Sequence, residues 1–425
     1  MQVDHTSKHK RSSYWQETVT HAPLSTDHPS KIDVAIIGGG LLGAATCYWL
    51  AQAGVAAVLL ERSMLAYGAT GHNGGFVSIG PAESYPDAIT RVGHETAHRV
   101  LKMTLENQVL LRQVLAEEEI DCDYREPGAL SLACSEEHYV NLARDVATLH
   151  ADGLAAKLLD RQQAQELIGA PLGREIIGGK FFPEQGAIHP IRLVQGLMKA
   201  SERLGAHTYR ATVVQLAPDN GGVRIQTERR VLYADAVVVA ANAWTSDILP
   251  SLAQLITPVR GQMLAYLPIA PIFPVGMSAS LTETGEYWQQ AADGTIVLGG
   301  CRAVAPGRDV GVRVSQPTAE VQTALENVLP RLFPSLNRLK VVRRWAGLMA
   351  FTSDYLPIAD QVPEMPGVWV VGGFSGHGMP FGMRMGQLVA HAVISGKAPT
   401  ELGPFRLDRA TLNSHHDDNP VGRQH

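Results

Sequence analysis

The sequence predicts an α/β protein in which a parallel nucleotide-binding sheet is interrupted by an antiparallel α+β unit. Three observations predict it. A β-α-β stretch at residues 31–62 carries G-x-G-x-x-G at its first turn. A second glycine-rich loop, "GATGHNGG" at residues 68–75, follows almost at once. Between residues 128 and 300, short strand patterns alternate with turn signals.

The elements follow in order. The first thirty residues are polar, lack an apolar signal core, and read as a surface tail, partly disordered. Val34 to Ile37 reads as a buried strand and Gly38 to Gly40 as its turn. Leu41 to Ala53 is a helix closed by Gly54, and Val55 to Leu60 is a second buried strand ending at Glu61. Gly38, Gly40 and Gly43 permit a tight turn, so backbone N–H groups at the helix start can meet a pyrophosphate. Glu61 follows Gly43 by 18 residues, placed to accept from ribose hydroxyls. The competing reading is a tight turn with no ligand. The two flanking strands and the terminal acid weigh against it.

Further on, residues 92–118 space their apolar positions three and four apart, as a helix does. "GALSLACSEEH" (128–138) is a strand running into a helix, and 189–205 is another helix. The stretch from 207 to 244 alternates strand and turn, with a hairpin near Gly221 and Gly222. "EYWQQAADGTIVLGG" (286–300) is a hairpin around Asp293-Gly294. "PTAEVQTALENVLPRLF" is a helix opened by proline. "VWVVGGF" (368–374) is a buried strand, and "MRMGQLVAHAVISG" is the helix after it.

Composition bounds the rest. With 425 residues, 45% of them apolar, the chain can bury a large core in two or three domains. The net charge of −5 is spread among interspersed acids and bases, without the basic stripe of a nucleic-acid binder. Cys47, Cys122, Cys134 and Cys301 are scattered, so neither a metal site nor a disulfide framework is expected, and the compartment reads as reducing cytoplasm. No apolar run reaches the ~18 residues a membrane span needs.

Four blocks now carry a resemblance: "DVAIIGGGLLG…LLER", "GATGHNGG", "ADAVVVAANAW" and "RRWAGLMAFTSDYLPIAD…VWVVGGFSGHGMPFG". In this order they resemble the D-amino-acid oxidase and glycine oxidase superfamily of FAD-dependent oxidoreductases. "SYWQET" and "ANAW" are similar to its gamma-glutamylputrescine oxidoreductase branch. The resemblance implies an FAD-binding domain of glutathione-reductase-like type, assembled from residues 31–115, 184–257 and 343–400. Residues 116–183 and 258–342 would form the inserted antiparallel-sheet substrate domain, with tails at 1–30 and 401–425. A bare second loop so soon after Glu61 suits a bulky ring beyond the pyrophosphate, which favours FAD over NAD.

The resemblance also places cofactor contacts. The first block offers Gly38, Gly40, Leu42 and Gly43, with Glu61 and Arg62 at its end. The second offers Gly68, Ala69, Thr70, His72, Asn73, Gly74 and Gly75. Val214, Ala241 and Trp244 come from the third region, and Gly376, His377, Gly378 and Met379 from the last. The 376–379 turn precedes a helix, whose dipole would favour negative charge on reduced flavin. His72 has three open roles: a polar loop residue, a noncovalent flavin contact, or a covalent link to the flavin 8α carbon. Relatives with that link read "G-S-T-W-H" here. Gly71 replaces their tryptophan, and Asn73 matches the noncovalent branch, so noncovalent FAD is expected.

The chemistry implied is hydride transfer from an amine C–H to flavin N5, giving an imine that water hydrolyses. It needs orientation rather than a catalytic triad. His377, Tyr287 and Met349 are the residues expected around the reacting centre. Glycine oxidases carry an arginine for the substrate carboxylate in "W-A-G-L-R-P". Here Met349 stands in its place, which points away from a simple α-amino acid. Arg260 and Arg302 are alternative anchors or structural ion-pair residues, and Tyr287 and Trp288 are pocket wall or core. No function is read for "IAD" (358–360). Three functions compete. They are a self-contained amine or amino-acid oxidoreductase passing electrons to oxygen or a carrier, the FAD subunit of a heteromeric dehydrogenase, and a flavoprotein without turnover.

Overall fold

The strongest apolar runs lie side by side. "VAII", "AVLL", "VVV" and "VWVV" sit in strands Lys31–Ile37, Ala57–Glu61, Val231–Val239 and Val368–Gly372, which pair parallel in one eight-stranded sheet. Such runs are apolar on both faces because helices cover both. Helix Leu41–Gln52 is buried along almost its whole length, packed by helices Pro190–Arg203 and Gly382–Ser395. The computed structural model describes residues 12–412.

From one edge the sheet runs Ile358–Gln361, Val368–Gly372, Val231–Val239, Lys31–Ile37, Ala57–Glu61, His207–Arg210. Hairpin strands Val213–Asp219 and Gly222–Thr227 join it through Val231–Val239. A second eight-stranded sheet runs Val341–Phe351, Thr257–Tyr266, Ile296–Gly300, Glu286–Gln290, Gly276–Ala279, Ala129–Ala133, Gly178–Phe182, Lys157–Asp160. It is antiparallel except where Gly276–Ala279 meets Ala129–Ala133 in parallel. That one pair makes it a mixed sheet.

Other expectations also change. Val341–Phe351 pairs along its length with Thr257–Tyr266, so residues 343–351 belong to the second sheet rather than to the FAD-binding segment. The helix read at 92–118 runs His94–Glu117, and a separate helix, Tyr85–Val92, precedes it, with Gly93 at φ +82° between them. The expected tails fall partly outside the described residues, at 1–11 and 413–425. The N-terminal one is anchored from Ser13 onward. Helix Tyr14–Glu17 has a Ser13–Gln16 capping box, and Trp15 is 3% exposed. An apolar-poor segment can still be pinned by one aromatic side chain. The C-terminal one is likewise packed as far as 412. Leu402 and Phe405 are buried, and Arg409 grips Asp354 at 2.7 and 2.9 Å. Asp360, unexplained in sequence, accepts from Leu407 N at 2.9 Å and ties this segment to the sheet edge.

Trp15→Ala should cost about 3–5 kcal/mol, the range for emptying a buried aromatic site. Because the Trp15 indole also holds Asn73 O at 2.7 Å, the flavin-to-protein ratio should fall with the melting temperature. A variant that melts like the parent would show that the N-terminal helix is dispensable.

Candidate functional site

A cavity of about 690 Å³ separates the first sheet's glycine turn from the face of the second sheet. Gly38 leaves its strand at φ +112°, a backbone angle that disfavours side chains. A Cβ on Gly43 would sit 1.9 Å from Gly38 O, so only glycine lets the helix start directly on the turn. The first-turn N–H groups of this helix have no intrahelical acceptor. Leu41 N donates to Thr70 Oγ1 at 3.1 Å, and Gly40 has no capping side chain. Glu61 closes the turn, accepting from Gly39 N and Ser63 N, both at 2.8 Å. Burial raises its pKa against these two bonds, and the carboxylate oxygens still have lone pairs for a further donor. Beside it the Arg62 guanidinium stacks 4.4 Å over the Trp244 ring.

The 68–75 loop is held by its carbonyls. Gly71 O accepts from the Ser13 hydroxyl, and His72 O from Trp345 Nε1 at 3.1 Å. Asn73 O accepts from Trp15 Nε1, Gly74 O from Gln289 Nε2, and Gly75 O from Ile188 N at 2.8 Å. His72 Nδ1 donates to Gly68 O at 2.8 Å, which leaves Nε2 as the ring's lone-pair nitrogen. Burial lowers the pKa of His72, keeping it neutral. The second sheet comes against it at Gly347, where a Cβ would lie 2.6 Å from His72 Cβ.

His377 hangs from the turn after strand Val368–Gly372. Its Nε2 is buried without a protein partner, and burial pushes its pKa down to about 4. The imidazole is therefore neutral where His377 lines the cavity. The N–H groups of Met383 and Arg384, at the start of the next helix, are taken by Asn107 Oδ1 at 2.8 and 3.1 Å. The dipole's donors nearest the cavity are thus in the 376–379 turn rather than deeper in the helix. Across the cavity Tyr287 meets Phe76 edge-on at 6.1 Å, and burial raises its pKa to about 12.

Of the sequence-predicted residues, the structure gathers most on this one cavity. Gly38, Gly40, Leu42, Glu61 and Arg62 line it from the first block. Gly68, Ala69, Thr70, His72, Asn73 and Gly74 line it from the second. Ala241, Trp244, Gly376, His377, Gly378, Met379, Tyr287 and Met349 complete that set. Three do not line it. Gly43 and Gly75 shape the backbone behind the wall. Val214 points outward at 45% exposure, and its neighbour Val213 lines the cavity instead, because side chains alternate along a strand. Trp288 faces the core. Arg260 is bound by Asp309 at 2.7 and 2.8 Å. Buried Arg302 donates to Arg308 O and lies against Phe351, with its pKa lowered to about 10 by burial. Neither arginine lines the cavity. Sequence reasoning missed Ser131, Lys180 and Ser278, which also line it. Their signal is the period-two alternation in "ALSLA", "GGKFF" and "GMSA", visible only once the facing side is known.

The site can be compared with known proteins. The FAD dependent oxidoreductase family, DAO, matches residues 33–392. The chain is 25% identical over 401 residues to gamma-glutamylputrescine oxidoreductase of Escherichia coli, covering 90% of this chain and 89% of that protein. It is 27% identical to one of the subunits of opine oxidase from Agrobacterium tumefaciens, covering 89% and 98%. The crystal structure of glycine oxidase from Geobacillus kaustophilus superposes with a TM-score of 0.78 at 23% identity, covering 90% of this chain and 99% of that one.

A valine at position 40 would put its side chain against Thr70 Oγ1, 3.3 Å from the new Cβ, and into the cavity beside the turn. Gly40→Val should purify largely colourless, with flavin occupancy below about a tenth, since crowding a tightly packed contact costs ~1–3 kcal/mol. Full flavin in a folded Gly40→Val would remove this turn from the cofactor site.

Proposed function

Because the chain belongs to the FAD dependent oxidoreductase family, we propose that it oxidises a C–N bond of an amine or amino acid on FAD held in this cavity. The observation that carries the reading is convergence. The dinucleotide turn, the 68–75 loop and the 376–379 turn meet around one chamber, whose far wall is a sheet bearing Tyr287 and Met349. Gly38, Gly40 and Leu42 would hold the pyrophosphate, and Glu61 the ribose. The loop from Gly68 to Gly74 would lie along the ring, and Gly376 to Met379 would face its pyrimidine end. Bound FAD supplies the two-electron acceptor for hydride leaving the amine carbon.

The protein's own part is placement. The second sheet acts as the substrate-side wall and shields the reacting carbon from water. Tyr287 and His377 are both neutral at physiological pH, and Met349 adds no charge. Such a wall favours an uncharged amine, the form whose C–H can leave as hydride. The imine then leaves to be hydrolysed. Oxygen or an electron carrier would take up the two electrons that bound FAD accepts. A second reading, the FAD subunit of a heteromeric dehydrogenase, is favoured by the likeness to a subunit of opine oxidase. Peroxide formation by the isolated chain separates the two.

Extended or apolar amines should bleach the visible flavin band anaerobically at concentrations where glycine does not. Met349→Arg should then improve small amino acids by tenfold or more, the effect of one charged hydrogen bond worth ~1.5–3 kcal/mol. Equal reduction by glycine in the parent would contradict this substrate class.

Noncovalent attachment is supported at His72 by its loop. A Cβ on Gly71 would lie 2.2 Å from Ala66 O, so this loop has no place for the tryptophan of the linked relatives. Acid precipitation should release the flavin into the supernatant, and His72→Ala should weaken its retention only modestly. A yellow pellet that turns white in His72→Ala would establish the imidazole link instead.

A further inference from the structure

The cavity does not end at the reacting centre. Strand pairing in the second sheet sets four residues in one row. Tyr287 lies opposite Ser278, Ser278 opposite Ser131, and Ser131 opposite Lys180. Directly paired residues share a face of the sheet, and all four line the cavity. Three strand spacings of ~4.8 Å put the strand of Lys180 roughly 14 Å from that of Tyr287. The row changes character along its length. It is aromatic at Tyr287, then hydroxyl at Ser278, which donates to Ser131 Oγ at 2.8 Å, then cationic at Lys180.

Lys180 pairs with Asp145 from helix Glu136–Ala151, which forms the facing wall. Both side chains are largely sheltered, at 16% and 5% exposure. A buried pair of this kind adds little net stability to a fold. Asp145 is already engaged twice, by Lys180 and by Tyr85 N at 3.1 Å. The ammonium has three donor hydrogens, and Asp145 takes one. The pair therefore keeps ammonium donors free for the cavity. The nearby charges are committed or exposed. Glu83 is bound by Arg91 at 2.9 Å, and Asp87 accepts from Ser84 Oγ, while Glu137 and Arg144 are exposed.

We propose that Lys180, oriented by Asp145, binds a carboxylate at the far end of an extended amine substrate whose reacting carbon lies beside Tyr287. Ser278 and Ser131 serve a polar group midway. The anchor missing at Met349 is thus displaced along the sheet, and the enzyme selects for length as well as charge. At about 1.2 Å per bond, an extended chain of eight to ten bonds covers roughly 10–12 Å of the roughly 14 Å between the two strands, the remainder falling to the side chains. The inference rests on the amine-oxidising reading above.

The test compares ω-aminodecanoate with decylamine in anaerobic flavin reduction by the holoenzyme. The carboxylate should lower the apparent dissociation constant about tenfold, as a charge-assisted hydrogen bond does. Lys180→Met should abolish that advantage, bringing the apparent constant for ω-aminodecanoate to that of decylamine, and Lys180→Arg should restore most of it. Because Lys180→Met strands Asp145, the double variant Lys180→Met/Asp145→Leu is measured alongside and should behave the same way. Calorimetric binding of decanoate, which has no amine to oxidise, reads the distal site without turnover. Lys180-dependent decanoate binding with no amine turnover would keep the distal site and sink the oxidase reading. Turnover with no preference for ω-aminodecanoate overturns the proposal, as does a preference lost in Arg144→Met rather than Lys180→Met.

Discussion

Five consecutive peptide carbonyls, from Gly71 to Gly75, accept hydrogen bonds from donors spread over the length of the chain. A glycine-rich loop has little side chain with which to fix itself, and a buried unpaired carbonyl is costly. The solution is to hold the backbone directly. Ser13 and Trp15 reach it from the N-terminal helix, Ile188 from before helix Pro190–Arg203, and Gln289 and Trp345 from the second sheet. The loop proposed to lie along the cofactor is therefore also the joint between the two sheets. Anything that moves the second sheet pulls on the same loop that lines the cavity.

This arrangement explains why the near wall can be chemically plain. Position is supplied by backbone contacts behind the loop, so the residues in front need only be neutral and shaped. Tyr287, Met349, His72 and His377 fit that description, two of them imidazoles held uncharged by burial. Along the row from Tyr287, charge enters at the far end, where Lys180 and Asp145 meet. A graded chamber of this kind separates the two demands on the site. In the proposed reaction the reacting end requires an uncharged amine, and recognition uses a charge only at a distance.

Much of this is legible in the sequence. The β-α-β unit, its glycines and Glu61 are a local pattern, set within about thirty residues by sterics and backbone donors, and the strands form where the apolar runs stand. The second loop and the "GGFSGHGMPFG" turn announce themselves by glycine content and by their place between strand and helix. Local reading fails wherever partner and residue are far apart in the chain. Trp15 reads as part of a polar tail because its pocket is made by Asn73 and the 189 region. Residues 343–351 read as continuous with the segment after them, yet pairing along the length of Thr257–Tyr266 draws them into the other sheet. Val214 stands where Val213 belongs because alternation gives the period of a strand but not its phase.

By itself, then, the sequence determined the dinucleotide turn, the glycine loops and the residue types of the wall, since each depends on backbone conformation or composition within one short stretch. Only the tertiary structure decided which face of each second-sheet strand meets the cavity, and hence that Tyr287, Ser278, Ser131 and Lys180 stand in one row. The reason is physical. Cross-strand register joins residues far apart in the chain, and a shift of one residue in that register would turn every one of them away.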